Sequence, residues 1–219
     1  MAKVIVFGIA DTAELAHFYL QNDSEHEVVA FTVNREFMEA DHFKGLPLVA
    51  FEDVENVFSP QEYSFFAPMT ARNMNRNREK IYLEAKQKGY NFISYISSKA
   101  TIFDRSVVGE NCFILEDNTI QPFTTIGNNV VLWSGNHIGH HGRIHDHVFF
   151  TSHVVMSGHC DIGSYSFFGV NSTVRDYNKI AQGTLVGMAA AITKDTEEWG
   201  IYIGNPAKKV PGKLSYEAY

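Results

Sequence analysis

The chain has 219 residues, of which 45% are hydrophobic and 20% charged, a composition typical of one large or two small globular domains. Its formal net charge of -7 has the wrong sign for a protein that coats nucleic acid or an anionic membrane. No apolar run approaches the roughly 20 residues that span a bilayer, and the start lacks the features of a signal peptide. We therefore expect a cytoplasmic protein without membrane insertion or a nucleic-acid partner.

Strands and helices alternate over the first part of the chain. In chain order the pattern predicts a strand at 3–8, a helix at 11–20, strands at 26–33 and 64–67, a helix at 75–88 and a strand at 91–95. Asp11 and Glu14 have the spacing of a capping box at the start of the first helix. This alternation predicts a small parallel α/β domain over residues 1–96.

A six-residue repeat follows. From Ile102 to Ile192 every sixth residue is large and apolar, and the fourth residue after each is small, as at Ser106, Cys112 and Cys160. This pattern predicts a hexapeptide β-helix, in which three hexads form a triangular coil and residues 18 apart stack at about 4.8 Å. The large and small pairing resembles the left-handed parallel β-helix, expected over residues 97–195 before a C-terminal extension at 196–219. Both cysteines are expected in its core.

One face of this prism carries an outward apolar stripe. Five residues spaced 18 apart form it: Phe113, Val131, Phe149, Phe167 and Leu185. An exposed apolar stripe of this size predicts a subunit interface. The alternative is that the α/β domain folds back over the stripe.

Histidines gather at the corners of the prism. Four of them occupy the fourth place of successive hexads: His141, His147, His153 and His159. Gly158 lies one coil above His140 and is expected to leave a side-chain-sized space over its ring. His159 is expected to stack on His141, and two imidazoles one coil apart oppose each other's protonation. A neutral base beside an open space favours general-base chemistry at His140. The alternative is a surface histidine without a catalytic role, since corners of the prism are mostly solvated.

Metal binding is the other chemistry open to these histidines. His140 and His145 have a plausible ligand spacing, and prisms of the γ-carbonic anhydrase kind hold zinc between subunits with three histidines. That arrangement needs a histidine about two coils earlier, and none occurs between His42 and His137. The chain also lacks a GxSxG motif and a P-loop. We predict no metal, and keep a non-catalytic or metal-binding hexapeptide trimer as the alternative class.

Several segments together resemble the NeuD/PglD-type sugar acyltransferases over nearly the whole chain. They are KVIVFGIADTAE, GLPLVAFEDV, NHIGHHGRIHDH, SGHCDIG and YIGNPAKKV. The resemblance implies a Rossmann-like N-terminal domain, a left-handed β-helix and a homotrimer. It also implies transfer of acetyl from acetyl-CoA to an amino sugar, often nucleotide-linked, in surface-glycan biosynthesis. Sugar O-acetylation is the alternative within this family.

The resemblance also implies roles for individual residues. His140 would be the catalytic base, and His141 replaces the Glu that often orients the ring. Phe149 stands where relatives have a second histidine that touches the acyl donor. Acetyl-CoA would contact Gly158, Gly187, Met188, Phe149 and Lys208, and the substrate would contact Gly8, Ile9, Asn34 and Asn75.

The N-terminal segment departs from the family's glycine-rich turn, because only Gly8 remains of its GxxGxG pattern. Loss of those glycines removes the close backbone approach to a pyrophosphate. Four basic residues near the second long helix could contact phosphates in its place, or form a solvated helix face: Arg72, Arg76, Arg78 and Lys80.

Overall fold

The computed structural model describes residues 1–104 and 107–218, so the small position predicted at Ser106 and the last residue, Tyr219, lie outside it. The chain begins with a six-stranded sheet in the order β3-β4-β2-β1-β5-β6. Its strands are β1 (Lys3–Phe7), β2 (Glu27–Val33), β3 (His42–Phe43), β4 (Leu46–Ala50), β5 (Ser64–Phe66) and β6 (Asn91–Phe92). All pairings are parallel except that of β3 with β4. The predicted parallel α/β arrangement is present.

Helices connect these strands. They are α1 (Asp11–Asn22), α2 (Val54–Val57) and α3 (Arg76–Gln87), with short 3-10 turns at Arg35–Phe37 and Phe51–Asp53. Ala10 is the N-cap of α1 and no side chain caps it, so the predicted capping box is wrong. Both of its acidic residues lie in the first turn instead, where the helix dipole favours negative charge. None of the described helices is long and apolar enough to cross a bilayer.

The hairpin of β3 and β4 was not predicted from the sequence. Pro47 lies within β4, and proline in an apolar run argues against a central strand. The structure places it opposite His42 in an antiparallel pair. Lys44 and Gly45 form the turn with φ of 50° and 78°, and positive φ at both residues is what a type I′ hairpin turn requires.

The prism consists of two-residue strands in three faces. The mixed face contains β8 (Thr101–Ile102), β10 (Thr119–Ile120), β13 (His137–Ile138), β16 (Val155–Met156), β19 (Thr173–Val174) and β22 (Ala191–Ile192). The charged face contains β11 (Thr125–Ile126), β14 (Arg143–Ile144), β17 (Asp161–Ile162) and β20 (Lys179–Ile180).

The third face, called the covered face below, extends into the C-terminal segment. Its strands are β7 (Tyr95–Ile96), β9 (Phe113–Ile114), β12 (Val131–Leu132), β15 (Phe149–Phe150), β18 (Phe167–Phe168), β21 (Leu185–Val186), β23 (Gly200–Ile203) and β24 (Lys208–Leu214). Strand β24 turns back antiparallel to β23, and the short helix α4 (Ser215–Ala218) ends the described chain.

The hexads stack as the periodicity predicts. Strand β13 pairs with β16 so that His137 lies opposite Val155 and Ile138 opposite Met156, a spacing of 18 residues. The large apolar positions form one continuous core, in which Ile138 and Met156 are fully buried. Parallel hexad strands in this order fit a left-handed β-helix.

The corner histidines have the backbone that this geometry needs. His141, His147, His153 and His159 have φ between 54° and 65°, in the left-handed region. Such a conformation costs a non-glycine residue roughly 1 kcal/mol or more, which the stacked coils on both sides must offset. The corners are therefore fixed by the prism and not by local preference.

Both cysteines are free and buried in the prism core. Burial raises the pKa of the Cys112 thiol to about 12 and also raises that of Cys160. A thiol kept protonated by burial is a poor nucleophile. The core role predicted for both cysteines is confirmed.

The apolar stripe is not a subunit interface. Phe113 and Val131 are each 3% exposed, and they pack with Val4, Phe31 and Phe66 of the α/β domain in one core cluster. The interface prediction is wrong, and the alternative, in which the α/β domain covers the stripe, is correct. The sequence shows that this stripe must be covered, but periodicity carries no information about which part of the chain covers it.

Arg78 of α3 forms hydrogen bonds that connect the α/β domain to the covered face. Its side chain is fully buried, and Nε donates to Asn129 Oδ1 at 3.1 Å while Nη2 donates to the backbone oxygens of Asn129 at 3.0 Å and His147 at 3.2 Å. Burial lowers the pKa of this guanidinium to about 9. Arg78 is therefore neither a phosphate contact nor part of a solvated helix face, and both readings of it were wrong.

Candidate active site

His140 and His141 lie at the corner between the mixed and charged faces, in the turn that joins β13 to β14. Both side chains are exposed. The turn is tied to the preceding coil, because the backbone N–H of His140 donates to Gln121 Oε1 at 3.0 Å and that of His141 donates to the Pro122 oxygen at 3.3 Å. The prism thus presents both imidazoles to solvent on a fixed backbone.

The two imidazoles contact each other directly. Nδ1 of His140 lies 3.0 Å from Nδ1 of His141, so in the neutral pair one ring donates and the other accepts. When His140 is the donor, its proton is on Nδ1 and its Nε2 keeps a lone pair. A general base needs that tautomer, and His141 can accept the hydrogen bond that goes with it.

The ring of His140 lies across Gly158. A Cβ placed on Gly158 would come within 2.8 Å of Cε1 and 3.0 Å of Nε2 of His140. The space expected above the ring is therefore filled by the ring itself, which corrects that prediction. Glycine at this position lets the imidazole approach the backbone of the next coil. Among the hydrogen bonds of the described residues, none is donated by the Gly158 N–H.

A column of four rings follows the same corner. The rings of Phe123, His141, His159 and Tyr177 follow one another in this order, with centroid separations of 4.6, 5.0 and 4.6 Å. Phe123 is tilted by 42° against His141, and the other two pairs are stacked. The predicted stacking of His159 on His141 is confirmed, with 17° between the planes. Neither Phe123 nor Tyr177 was predicted to join this column, although both follow from the same step of 18 residues.

His140 stands perpendicular to this column. Its plane makes angles of 88° with His141 and 90° with His159, at centroid distances of 5.1 and 5.2 Å. The ring of His140 is therefore perpendicular to two rings of the column, His141 and His159.

The three histidines do not fit a metal ion as they are arranged. One ring nitrogen from each of His140, His141 and His159 lies within 4.8 Å of the others. An imidazole lone pair lies in the plane of its ring, and the planes of His141 and His159 are nearly parallel, so both cannot point at one ion unless a ring turns. His145 is bound elsewhere, because its Nε2 lies 2.8 Å from Asp161 Oδ1.

The residues predicted to contact acetyl-CoA fall into different environments. Met188 is 76% exposed, and Lys208 is exposed on β24. The N–H of Gly187 already donates to the Tyr202 oxygen at 2.8 Å, so it has no free donor to offer. Phe149 is 6% exposed and stacks on Phe167 beneath the α/β domain. A contact between Phe149 and acetyl-CoA was therefore a wrong prediction.

The residues predicted to contact the substrate also lie in two different places. Gly8, with φ of 110°, follows β1, and Asn34 follows β2, so both lie at the carboxyl edge of the parallel sheet. Ile9 is half-buried next to Gly8. Asn75 is fully buried and its Nδ2 donates to the Tyr165 oxygen at 2.9 Å. Asn75 therefore joins α3 to the prism, and its assignment to the substrate was wrong.

Comparison with known proteins supports the repeat. The family model described as bacterial transferase hexapeptide (six repeats) matches residues 105–140. An acyl-[acyl-carrier-protein]–UDP-N-acetylglucosamine O-acyltransferase of Burkholderia thailandensis is 32% identical over 111 residues, which are 48% of this chain and 42% of the relative. The protein of the same description from Sinorhizobium fredii is 26% identical over 107 residues, 46% of this chain and 40% of the relative. The chain thus spans less than half the length of these relatives.

Solved structures match nearly the whole chain. The acetyltransferase domain of PglB from Neisseria gonorrhoeae has a TM-score of 0.83 at 20% identity, covering 96% of this chain and 100% of that one. PerB from Caulobacter crescentus, with CoA and GDP-perosamine, has a TM-score of 0.82 at 21% identity, covering 96% and 98%. WeeI from Acinetobacter baumannii has a TM-score of 0.79 at 18% identity, covering 96% and 100%. At the level of the fold, the predicted resemblance to hexapeptide sugar acyltransferases is confirmed.

Proposed function

We propose that the protein is an acetyl-CoA-dependent N-acetyltransferase that acts on a nucleotide-linked amino sugar in surface-glycan biosynthesis. The observation that carries the proposal is the exposed His140, which has its Nδ1 3.0 Å from His141 and its outer edge across Gly158. This arrangement gives the imidazole a hydrogen-bond partner at Nδ1 and puts it next to a backbone N–H without a partner among the described residues. The structures of PerB and PglB with CoA or acetyl-CoA support the same acyl donor here.

The mechanism is direct transfer. Nε2 of His140 accepts a proton from the sugar amine as the nitrogen attacks the thioester carbon, and the carbonyl oxygen becomes an oxyanion. The N–H near Gly158 donates to that oxyanion. Collapse of the tetrahedral intermediate breaks the C–S bond, and the CoA thiolate takes the proton back from His140. The amide and the free thiol are the products.

The N-terminal part is proposed to bind the nucleotide. Residues 1–96 form the Rossmann-like domain in this proposal, 97–195 the β-helix and 196–219 the extension. Gly8, Ile9 and Asn34 lie at the carboxyl edge of its parallel sheet, where such folds bind ligands. Met188 and Lys208 remain candidates for contacts with CoA, since both are exposed.

We also propose a cytoplasmic homotrimer, whose interface cannot use the apolar stripe. The stripe is already buried under the α/β domain of the same chain. The mixed and charged faces, which meet at the corner of His140, are the faces left for contact with a second copy.

Release of free thiol from acetyl-CoA tests the proposal. The acceptors would be GDP-perosamine and a panel of UDP-, GDP- and dTDP-linked amino sugars, each paired with the corresponding hydroxyl sugar. We expect turnover with at least one amino sugar and none with its hydroxyl counterpart. The reverse preference would favour the O-acyltransferase alternative, which the descriptions of the curated relatives support.

His140→Asn is the decisive variant. Loss of a general base typically costs 10² to 10⁴ in rate, so we expect kcat to fall about 1000-fold. His153→Asn is the control, because His153 is an exposed histidine at another corner of the prism. Full turnover by His140→Asn would remove the proposed base. Stoichiometric zinc in the purified protein would favour the metal-binding class instead.

A further inference from the structure

His159 follows Gly158 at the corner of His140, one coil further along the prism. We infer that His159 is a second catalytic residue, whose ring N–H donates a hydrogen bond to the acyl carbonyl oxygen while His140 takes the proton. This inference rests on the proposed function, since it concerns the same transfer. It adds a side-chain donor to the backbone N–H near Gly158.

The distance between the rings of His140 and His159 fits these two roles. Their centroids are 5.2 Å apart with planes at 90°, and a ring nitrogen of each lies within 4.8 Å of the other. A nucleophile bound to the base attacks a carbonyl carbon roughly 3 Å away, so the carbonyl oxygen lies about 4 to 5 Å from the base. A donor at that distance can reach the oxygen without competing for the nucleophile.

The ring of His159 is held in place before any ligand binds. It lies between His141, at 5.0 Å, and Tyr177, at 4.6 Å with only 4° between the planes. Its backbone N–H donates to the His140 oxygen at 2.9 Å, which fixes the corner from below. Donors that are oriented in advance stabilise an oxyanion most, because nothing has to reorganise during the reaction.

The N–H of this ring is also available. Among the described residues, no side chain or carbonyl forms a hydrogen bond with either ring nitrogen of His159. A neutral imidazole always carries one N–H, so it can donate without adding a positive charge next to His140. As the C–N bond forms, negative charge moves to the carbonyl oxygen, and both donors stabilise it until the C–S bond breaks.

The test removes the ring N–H of His159 and keeps an aromatic ring at its position in the column. Phe123 occupies the same column with φ of 66°, so His159→Phe should fit the corner and stack between His141 and Tyr177. With acetyl-CoA and GDP-perosamine, or the amino sugar of the panel that is turned over, we expect kcat to fall about 100-fold. The KM for acetyl-CoA should change less than about twofold, because the donor acts on charge that develops in the transition state.

Two further variants complete the experiment. His159→Gln keeps an N–H donor and should retain more activity than His159→Phe. His153→Phe makes the same change at another exposed corner and should keep the wild-type kcat. A matching melting temperature for His159→Phe would show that the fold is intact.

The possible failures can be told apart. Wild-type kcat in His159→Phe, together with an inactive His140→Asn, would overturn the role of His159 and leave the proposed function standing. A raised KM with unchanged kcat would overturn it as well, because it would make His159 a binding contact only. A wild-type protein that releases no thiol with any acceptor of the panel would overturn both proposals.

Discussion

The covered face and the corner of His140 are built from the same six-residue repeat but have opposite environments. On the covered face the outward residues Phe113, Val131 and Phe149 are 3 to 6% exposed, because the α/β domain packs on them. At the corner, Phe123 is 73% and Tyr177 68% exposed. The regular scaffold is thus divided into a face that is buried under the α/β domain and a corner that is open to solvent.

The difference shows how side chains that protrude from a β-helix acquire a role. Both sites use residues 18 apart, which stack into rows. Where the row is aliphatic or phenyl, burial under another part of the chain is the stable outcome. At the corner of His140 no part of the described chain covers the row, so Phe123, His141 and Tyr177 stay exposed.

The largest expected effect comes from removing the buried cation of the covered face. Arg78→Met leaves the backbone oxygens of Asn129 and His147 without their donor in a buried environment. Unsatisfied buried acceptors cost about 1 to 3 kcal/mol each, so we expect the free energy of unfolding to fall by about 3 kcal/mol. Urea unfolding monitored by circular dichroism measures this loss.

Arg72→Met is the matched control for this change. Arg72 is exposed, so the same substitution should alter the free energy of unfolding by less than about 0.5 kcal/mol. We also expect Arg78→Met to keep the wild-type kcat at low temperature, since the corner lies on the other side of the prism. Equal stability of the two variants would show that packing alone holds the covered face.

At the corner, Gly158→Ala should lower kcat and leave the stability of the fold unchanged. The added Cβ would lie 2.8 Å from Cε1 of His140, so the imidazole must move while the backbone does not. A displacement of about 1 Å at a catalytic group can cost about 100-fold in rate, and we expect kcat to fall by that factor. Thiol release measures the rate, and thermal unfolding should show almost no change in stability.

Gly163→Ala is the control for this change, and it should affect stability instead of rate. Its Cβ would lie 2.7 Å from the backbone nitrogen of Gln182, which cannot move aside as a side chain can. That variant should lose stability and keep the turnover of its folded fraction. If Gly158→Ala also lost stability and kept its rate, the proximity of Gly158 to His140 would have no catalytic meaning.

The open corner was more predictable from sequence than the covered face. A step of 18 residues brings His141 next to His159 and His140 next to Gly158, because neighbouring coils repeat the same geometry. Periodicity could not show that Arg78 would contact Asn129, 51 residues away, since docking of one domain on another has no local sequence pattern.

The smallest expected effect concerns a second link between the two domains. Asp23, at the end of α1, accepts hydrogen bonds from the Ser98 N–H at 2.8 Å, the Tyr95 hydroxyl at 2.6 Å and the Ser97 hydroxyl at 3.2 Å. Burial alone would raise the pKa of this carboxyl, but the three donors outweigh it and lower the pKa to about 2. The carboxylate form therefore ties α1 to the start of the prism.

The sign of the pH effect follows from this shift. Because the pKa of Asp23 is lower in the folded chain than the ordinary value of about 3.8, its contribution is present above pH 4 and is lost as the pH falls towards 2. After allowance for solvent screening, Asp23→Asn should lower the free energy of unfolding by about 1 kcal/mol at pH 7. It should also flatten the decline of stability between pH 4 and 2, measured by urea unfolding at each pH. A decline in Asp23→Asn as steep as that of the wild type would show that packing alone fixes this end of α1.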